Sequence, residues 1–250
     1  MLPILYLEIP SYALWASLGL MVSLVYTLIR SFKIDLSFIH FIMYIVVCMG
    51  TALVGARLMF AISMIPQCGF NIPTLLGYFL NGGIVFYGGL LGVLLGIIIV
   101  SKVIKQDSEK MLDFVAPAFP LFHIFGRIGC LFAGCCYGKV WPWGVILADD
   151  LDTIRFPVQF FEAACNLLIF ICMTILMKKR GNNKGNLEVY FLSYSVVRFI
   201  LEFYRGDVER GIWFGLLSTA QIVSIIIFVI TIFHIFKARK AKTCELNVAS

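Results

Sequence analysis

Seven apolar stretches, each long enough to cross a lipid bilayer as a helix, take up most of this 250-residue chain. No water reaches backbone N–H and C=O groups in a bilayer core, so a crossing segment must satisfy its own, which a helix of ~20 residues does. The stretches run roughly Tyr12 to Ile29, Ser37 to Met64, Gly82 to Val100, Met111 to Ala133, Val158 to Met177, Leu187 to Phe203 and Phe214 to Phe236. With 61% hydrophobic and 14% charged residues, the composition excludes an ordinary water-soluble domain. The expected fold is all-α, a polytopic membrane protein of seven transmembrane helices. Because every connection is short, residues 1–250 are read as a single integral membrane domain. Its longest outer loop, about 135–157, has room for a small helix or hairpin.

Basic residues orient the segments. With the amino terminus outside, the cytoplasmic edges hold Arg30, Lys33, Lys102, Lys105, Lys110, Lys178, Lys179, Arg180, Lys184, Lys237, Arg239, Lys240 and Lys242. The outer loops hold Lys139, Arg155, Arg205 and Arg210, so the count is 13 against 4 and the carboxyl terminus is cytoplasmic. The net charge of +6 therefore describes topology. Spread over four edges, it forms no stripe for nucleic acid. The first segment lacks a basic leading region and a small-residue cleavage site, and is expected to be retained.

Five charges lie inside these apolar segments: Arg57, Arg127, Glu162, Arg198 and Glu202. Each costs at least ~2.5 kcal/mol at bilayer depth unless a partner, water or ligand offsets it. Arg198 and Glu202 are four apart on one helical face, with Arg205 a turn further out. A structural ion pair explains that face without any ligand. Three cations against two anions, however, leave Arg57 or Arg127 to meet an outside anion, and a phospholipid phosphate is the nearest one. Gly126, Gly129, Gly134 and Gly138 around Arg127 are expected to break the fourth helix near the outer face, as at a cavity. The alternative is a frayed end with Arg127 snorkelling to the headgroups. Gly88, Gly92 and Gly96 form a small-residue stripe suited to close helix packing, with Tyr87 at its outer end. His123 is read as a hydrogen-bonded core histidine.

Of eight cysteines, Cys48, Cys165 and Cys172 fall mid-segment and Cys244 in the cytoplasmic tail. Cys68, Cys130, Cys135 and Cys136 fall near the outer face, where a disulfide could persist, and their pairing stays open. The Cys-x4-Cys-Cys spacing is not a zinc pattern, so no metal and no cofactor are expected. Nucleophilic catalysis by Cys130 or Cys135 is a separate alternative.

Six motifs occur in order along the chain. They are Ser11-Tyr12-Ala13-Leu14, Gly55-Ala-Arg57-Leu58, Phe86-Tyr-Gly-Gly-Leu-Leu-Gly92, Gly126-Arg127-Ile-Gly129, Pro157-Val-Gln159-Phe-Phe-Glu162-Ala163, and Arg198-Phe-Ile-Leu-Glu202-Phe-Tyr-Arg205-Gly-Asp207. Together they resemble the prolipoprotein diacylglyceryl transferase family. The resemblance implies a multi-pass protein of a bacterial inner or plasma membrane that moves the diacylglyceryl group of phosphatidylglycerol to the thiol of a lipobox cysteine. Glycerol phosphate is released. The implied partners are phosphatidylglycerol, a secreted precursor protein or other lipid-accepting molecule, and membrane lipids. By the same resemblance Arg127 and Arg198 grip the departing phosphate, Tyr87 joins them as a catalytic residue, and Arg57, Glu162, Glu202, Tyr12, Arg205 and Gln159 bind substrate. After Gly126-Arg127-Ile-Gly129 the family usually shows asparagine, asparagine and glutamate, where this chain has Cys130, Ala133 and Cys135. Tyr87 stands where the family often has histidine. A different acceptor, such as a saccharide hydroxyl, or a noncatalytic lipid-binding protein that kept the arginines, are the alternatives.

Overall fold

The computed structural model describes residues 10–34, 36–147, 150–207, 212–213 and 217–248. Arg210 and the expected start of the last segment at Phe214 lie outside the described residues. The described residues form helices α1 (Ser11–Ser31), α2 (Phe38–Ser63), α3 (Ile65–Cys68), α4 (Ile72–Asn81), α5 (Phe86–Val103), α6 (Ser108–Val115) and α7 (Ala118–Ala133). Strands β1 (Val140–Leu147) and β2 (Asp150–Arg155) follow, then α8 (Val158–Arg180), α9 (Asn186–Leu201), β3 (Ile212–Trp213), β4 (Leu217–Ser218) and α10 (Thr219–Val248). Among the described residues five spans are long and apolar enough to cross a membrane: Ser11–Ile34, Phe38–Ser63, Ser108–Ala133, Val158–Arg180 and Thr219–Lys240. The chain is a mostly helical, multi-pass membrane protein.

Two compact units divide it: residues 28–114, and residues 1–27 with 115–250. In the first, α2 packs on α5 along the glycine stripe. A Cβ at Gly92 would lie 2.8 Å from Ala52 Cα, and one at Gly88 2.6 Å from Met59 Cβ, so only glycine lets the two backbones come this close. Tyr44 and Ser101 hydroxyls share a 2.8 Å bond across the same pair. Asn71 caps α4 by accepting from Thr74 N at 3.3 Å. At the other end of α4, Arg57 donates to the Phe79 carbonyl at 3.3 Å and to that of Leu80. Those carbonyls lack helical partners and carry the negative end of the helix dipole, which suits a guanidinium. Tyr87 occupies the first turn of α5 and is half-buried.

In the second unit α7, α8 and α9 form the core, joined by the start of α1 and by α10. Buried positions on α8 repeat as Gln159, Glu162, Ala163, Asn166, Ile169 and Met173, one helical face turned inward. Ala116, Ile169, Met173 and Tyr190 pack together at one level of it. Gly129 permits close approach of α1: a Cβ there would meet Trp15 Cβ at 3.0 Å and Tyr12 Cδ2 at 3.4 Å. The loop at 135–157 forms a hairpin, β1 against β2, with Ile146 opposite Ile154. Asp150 accepts from Thr153 Oγ1 at 2.7 Å and Arg155 Nη2 at 2.8 Å, which holds its carboxyl below the usual range.

The glycines of α7 do not break it at membrane depth. The helix continues through Gly126 and Gly129 and stops at Gly134, whose φ of 74° is the left-handed C-cap that favours glycine. A helical glycine costs only about 1 kcal/mol, which the packing of α1 offsets.

Candidate active site

Three apolar helices each contribute ionisable residues at helical spacing to one cluster. On α7, His123, Arg127 and Cys130 recur at i, i+4 and i+7; on α9, Tyr190, Tyr194 and Arg198 are four apart and lead to Glu202. On α8 the acidic member is Glu162, 1% exposed. Its carboxylate forms an ion pair with Arg127 Nη2 through Oε1 at 3.0 Å and accepts from Arg198 Nη1 on Oε2 at 3.2 Å. One carboxylate thus bridges two guanidiniums from two helices. Tyr194 Oη adds a 2.8 Å donation to Oε1.

The network continues outward. Arg198 Nη2 is ion-paired with Glu202 Oε2 at 2.9 Å, and Arg205 Nη1 lies 3.9 Å from the same oxygen. Arg205 Nε donates to Asp207 Oδ1 at 2.9 Å, with a second close pairing through Nη2. Burial alone would lower the pKa of Arg205, but Asp207 outweighs that and raises it. Arg127, Arg198 and Arg205 therefore face Glu162, Glu202 and Asp207, three cations to three anions. The sequence reading leaves Arg57 or Arg127 over, and Arg57 is the one with no carboxylate partner among the described residues. Exposure still separates the pair on Glu162, the Arg127 side chain being 17% exposed against 7% for Arg198. Arg127 is the more exposed of the two guanidiniums.

Gln159, 1% exposed, donates Nε2 to the Cys135 carbonyl at 2.8 Å, and its Oε1 is buried without a hydrogen-bond partner among the described residues. Tyr12 is exposed at the start of α1, against Gly129 and within electrostatic reach of Arg127 and Cys130. Of the residues singled out from the sequence, Arg127, Arg198, Glu162, Glu202, Arg205, Gln159 and Tyr12 all belong to this unit. Arg57 and Tyr87 belong to the other, as described above.

Sequence reasoning missed three supports. Tyr194 bonds the bridging carboxylate, Tyr190 Oη meets His123 Nδ1 at 2.9 Å, and Asn166 Nδ2 donates to the Glu162 carbonyl at 2.8 Å. Counting back in fours from Arg198 finds both tyrosines. His123, its ring tilted against that of Tyr194 at 4.8 Å between centres, is a buried hydrogen-bonded residue as expected. The sulfur atoms of Cys130, Cys135 and Cys136 also converge, all within 4.8 Å of one another. Linear spacing did not suggest this.

Buried guanidiniums held by carboxylates among apolar helices define an integral membrane protein with an ionic cluster in its helical core. The chain belongs to the prolipoprotein diacylglyceryl transferase family, whose model matches residues 1–237. A phosphatidylglycerol–prolipoprotein diacylglyceryl transferase of Clostridium tetani is 31% identical over 252 residues, covering 96% of this chain and all of the relative. One from Acinetobacter baumannii is 33% identical over 171 residues, 65% of this chain. That alignment takes in 63% of the Acinetobacter protein, so the chain spans less than two thirds of that relative's length. A protein named phosphatidylglycerol–prolipoprotein diacylglyceryl transferase 2 from Clostridium perfringens is 32% identical over 178 residues.

Proposed function

We propose that this chain transfers the diacylglyceryl group of phosphatidylglycerol to the cysteine thiol of a prolipoprotein at the outer face of a bacterial inner membrane, releasing glycerol phosphate. The observation that carries the reading is Glu162 bridging Arg127 and Arg198. Two guanidiniums cannot share a dry site without an anion between them, and a carboxylate that anchors one edge of each leaves other N–H groups to aim elsewhere. As the sulfur attacks the glyceryl carbon, charge builds on the departing phosphate. Preorganised donors stabilise that charge more than the charge of the bound lipid, which lowers the barrier. Arg127, the more exposed of the two, takes the phosphate oxygen; Arg198 holds the carboxylate framework and adds field. Glu202 and the Arg205–Asp207 pair keep Arg198 in register, while Tyr12 and Gln159 line the donor's approach.

Topology supports it. Seven crossings with the amino terminus outside need α5 and α9 to span, in addition to the five long helices. At 1.5 Å per residue the 18 residues of α5 reach ~27 Å, and the 16 of α9 reach ~24 Å. The 3-10 turn Glu202–Tyr204 extends α9 by ~6 Å, to about the thickness of the hydrocarbon core.

The test is release of glycerol phosphate from labelled phosphatidylglycerol by purified protein given a prolipoprotein peptide. Wild type releases it only with the peptide, and Arg127→Ala lowers the rate ~100-fold or more, the usual cost of one such donor. Full activity in Arg127→Ala, or no release by wild type, refutes the assignment.

A further inference from the structure

We propose that Cys130, Cys135 and Cys136 form a three-thiolate zinc site whose fourth position takes the thiol of the acceptor. This rests on the transferase reading and adds to it the means of activating the nucleophile.

The three sulfur atoms lie within 4.8 Å of one another. Zinc–sulfur bonds of ~2.3 Å place thiolates ~3.8 Å apart in a tetrahedron, so rotation of the side chains by about 1 Å closes the site. Two observations show that the loop is built to bring the thiols together. Cys136 is one of two non-glycine residues with positive φ among those described, at 57°, a conformation that costs ~1–3 kcal/mol and persists only where the surroundings enforce it. The surroundings do enforce it. Cys135 N bonds the Cys130 carbonyl at 3.2 Å, Gly206 N bonds Tyr137 O at 3.0 Å, and Lys139 N bonds Tyr204 O at 2.8 Å. The second observation is Gln159, which fixes the Cys135 carbonyl from α8 and keeps its own Oε1 buried without a partner among the described residues.

Donor chemistry selects the ion. Three sulfurs and no carboxylate or imidazole in the group suit a soft or borderline cation, and zinc with three protein ligands keeps one position open for substrate. Burial grades from Cys130, which is buried, to Cys135, which is exposed, so the open side faces out. Three thiolates and a dication sum to one negative charge. Arg127 and Arg205 are both in electrostatic contact with this cluster.

The balance of the step is as follows. The acceptor thiol loses its proton to water on binding zinc as thiolate. Its sulfur then bonds the glyceryl carbon, the carbon–oxygen bond to phosphate breaks, and that electron pair leaves with glycerol phosphate beside Arg127, one turn from Cys130. The thioether, a weak ligand, departs. Zinc stays divalent throughout.

Cobalt(II) offered to reduced full-length protein in detergent reads the site without activity. One cobalt per chain with sulfur-to-cobalt charge-transfer absorption is expected, intensified by an acceptor-cysteine peptide and unchanged by its serine analogue. Cys130→Ser, Cys135→Ser and Cys136→Ser should each weaken zinc at least ~100-fold, beyond the loss an outer partner causes, while Cys165→Ser and Cys172→Ser leave it intact. Because the wild-type spectrum is itself decisive, misfolding of a variant does not rescue the idea. Absence of stoichiometric cobalt, a peptide without spectral effect, or a disulfide joining two of the three in protein isolated without reductant overturns it. Transfer by wild type without cobalt binding sinks the zinc site and spares the transferase. Cobalt binding by a protein inert toward phosphatidylglycerol does the reverse.

Discussion

Glu162 supplies one negative charge to two guanidiniums at full burial, so its charge matters more to the fold than that of either arginine alone. Glu162→Gln leaves Arg127 and Arg198 facing each other across a neutral amide. Breaking a buried pair this way costs about 3–5 kcal/mol, because an uncompensated charge stays behind. Thermal unfolding in detergent should show that loss. Adding Arg127→Gln to it should recover stability, since only Arg198 then needs an anion and Glu202 already serves it. A double variant less stable than the single would mean that Arg127 is held by something other than Glu162. Part of this network was legible in the chain: Arg198 and Glu202 are neighbours by helical spacing alone. The bridge was not, because Arg127 and Glu162 lie on different helices and only packing brings them together. The same limit hid the thiol cluster, where a left-handed residue turns Cys136 back toward Cys130.

At the scale of elements, glycine spacing marked α5 for close packing without naming α2 as its partner, and of the glycines expected to break α7 only Gly134 ends it. Glycines were read as breakers, yet each acts through its surroundings. Gly134 ends a helix because its φ is positive; Gly129 admits α1; nothing lies within 4 Å of a Cβ at Gly126. The seam gives the clearest test. A side chain at Gly92 would press on the Thr51 carbonyl carbon at 2.6 Å and Ala52 Cα at 2.8 Å, and backbone has nowhere to move. Gly92→Val should destabilise by at least 1–3 kcal/mol, the cost of overpacking a close contact. Gly50→Ala on α2, with open space around it, should be neutral or gain up to ~1 kcal/mol of helix propensity. Unfolding temperatures of the two variants check the contrast, and equal values would deny the seam.

For the whole molecule, the count of crossings has consequences that individual helices do not reveal. Five spans are evident from length and apolarity, but α5 and α9 decide the sidedness of every loop between them. With an outside amino terminus, five crossings and seven both bring α10 to the cytoplasm, so the carboxyl terminus cannot tell them apart. The loops can. Seven crossings put Gln106 and Asn183 inside and the β1–β2 hairpin outside; five put Gln106 and Asn183 outside and the hairpin inside. The charge rule favours seven, since Lys102, Lys105 and Lys110 flank the first site and Lys178, Lys179, Arg180 and Lys184 the second. It sums over many residues, so it yields an expected orientation where a pairing between two helices yields no signal at all. Alkaline phosphatase, active only outside, inserted at Val145 should be active and at Gln106 or Asn183 silent, with a cytoplasm-dependent fluorescent protein giving the opposite pattern. Should the phosphatase act at Gln106 and Asn183, α5 and α9 do not cross. The hairpin and the three thiols would then face the cytoplasm, where no secreted precursor presents its cysteine, and the assignment of acceptor would fail with the topology.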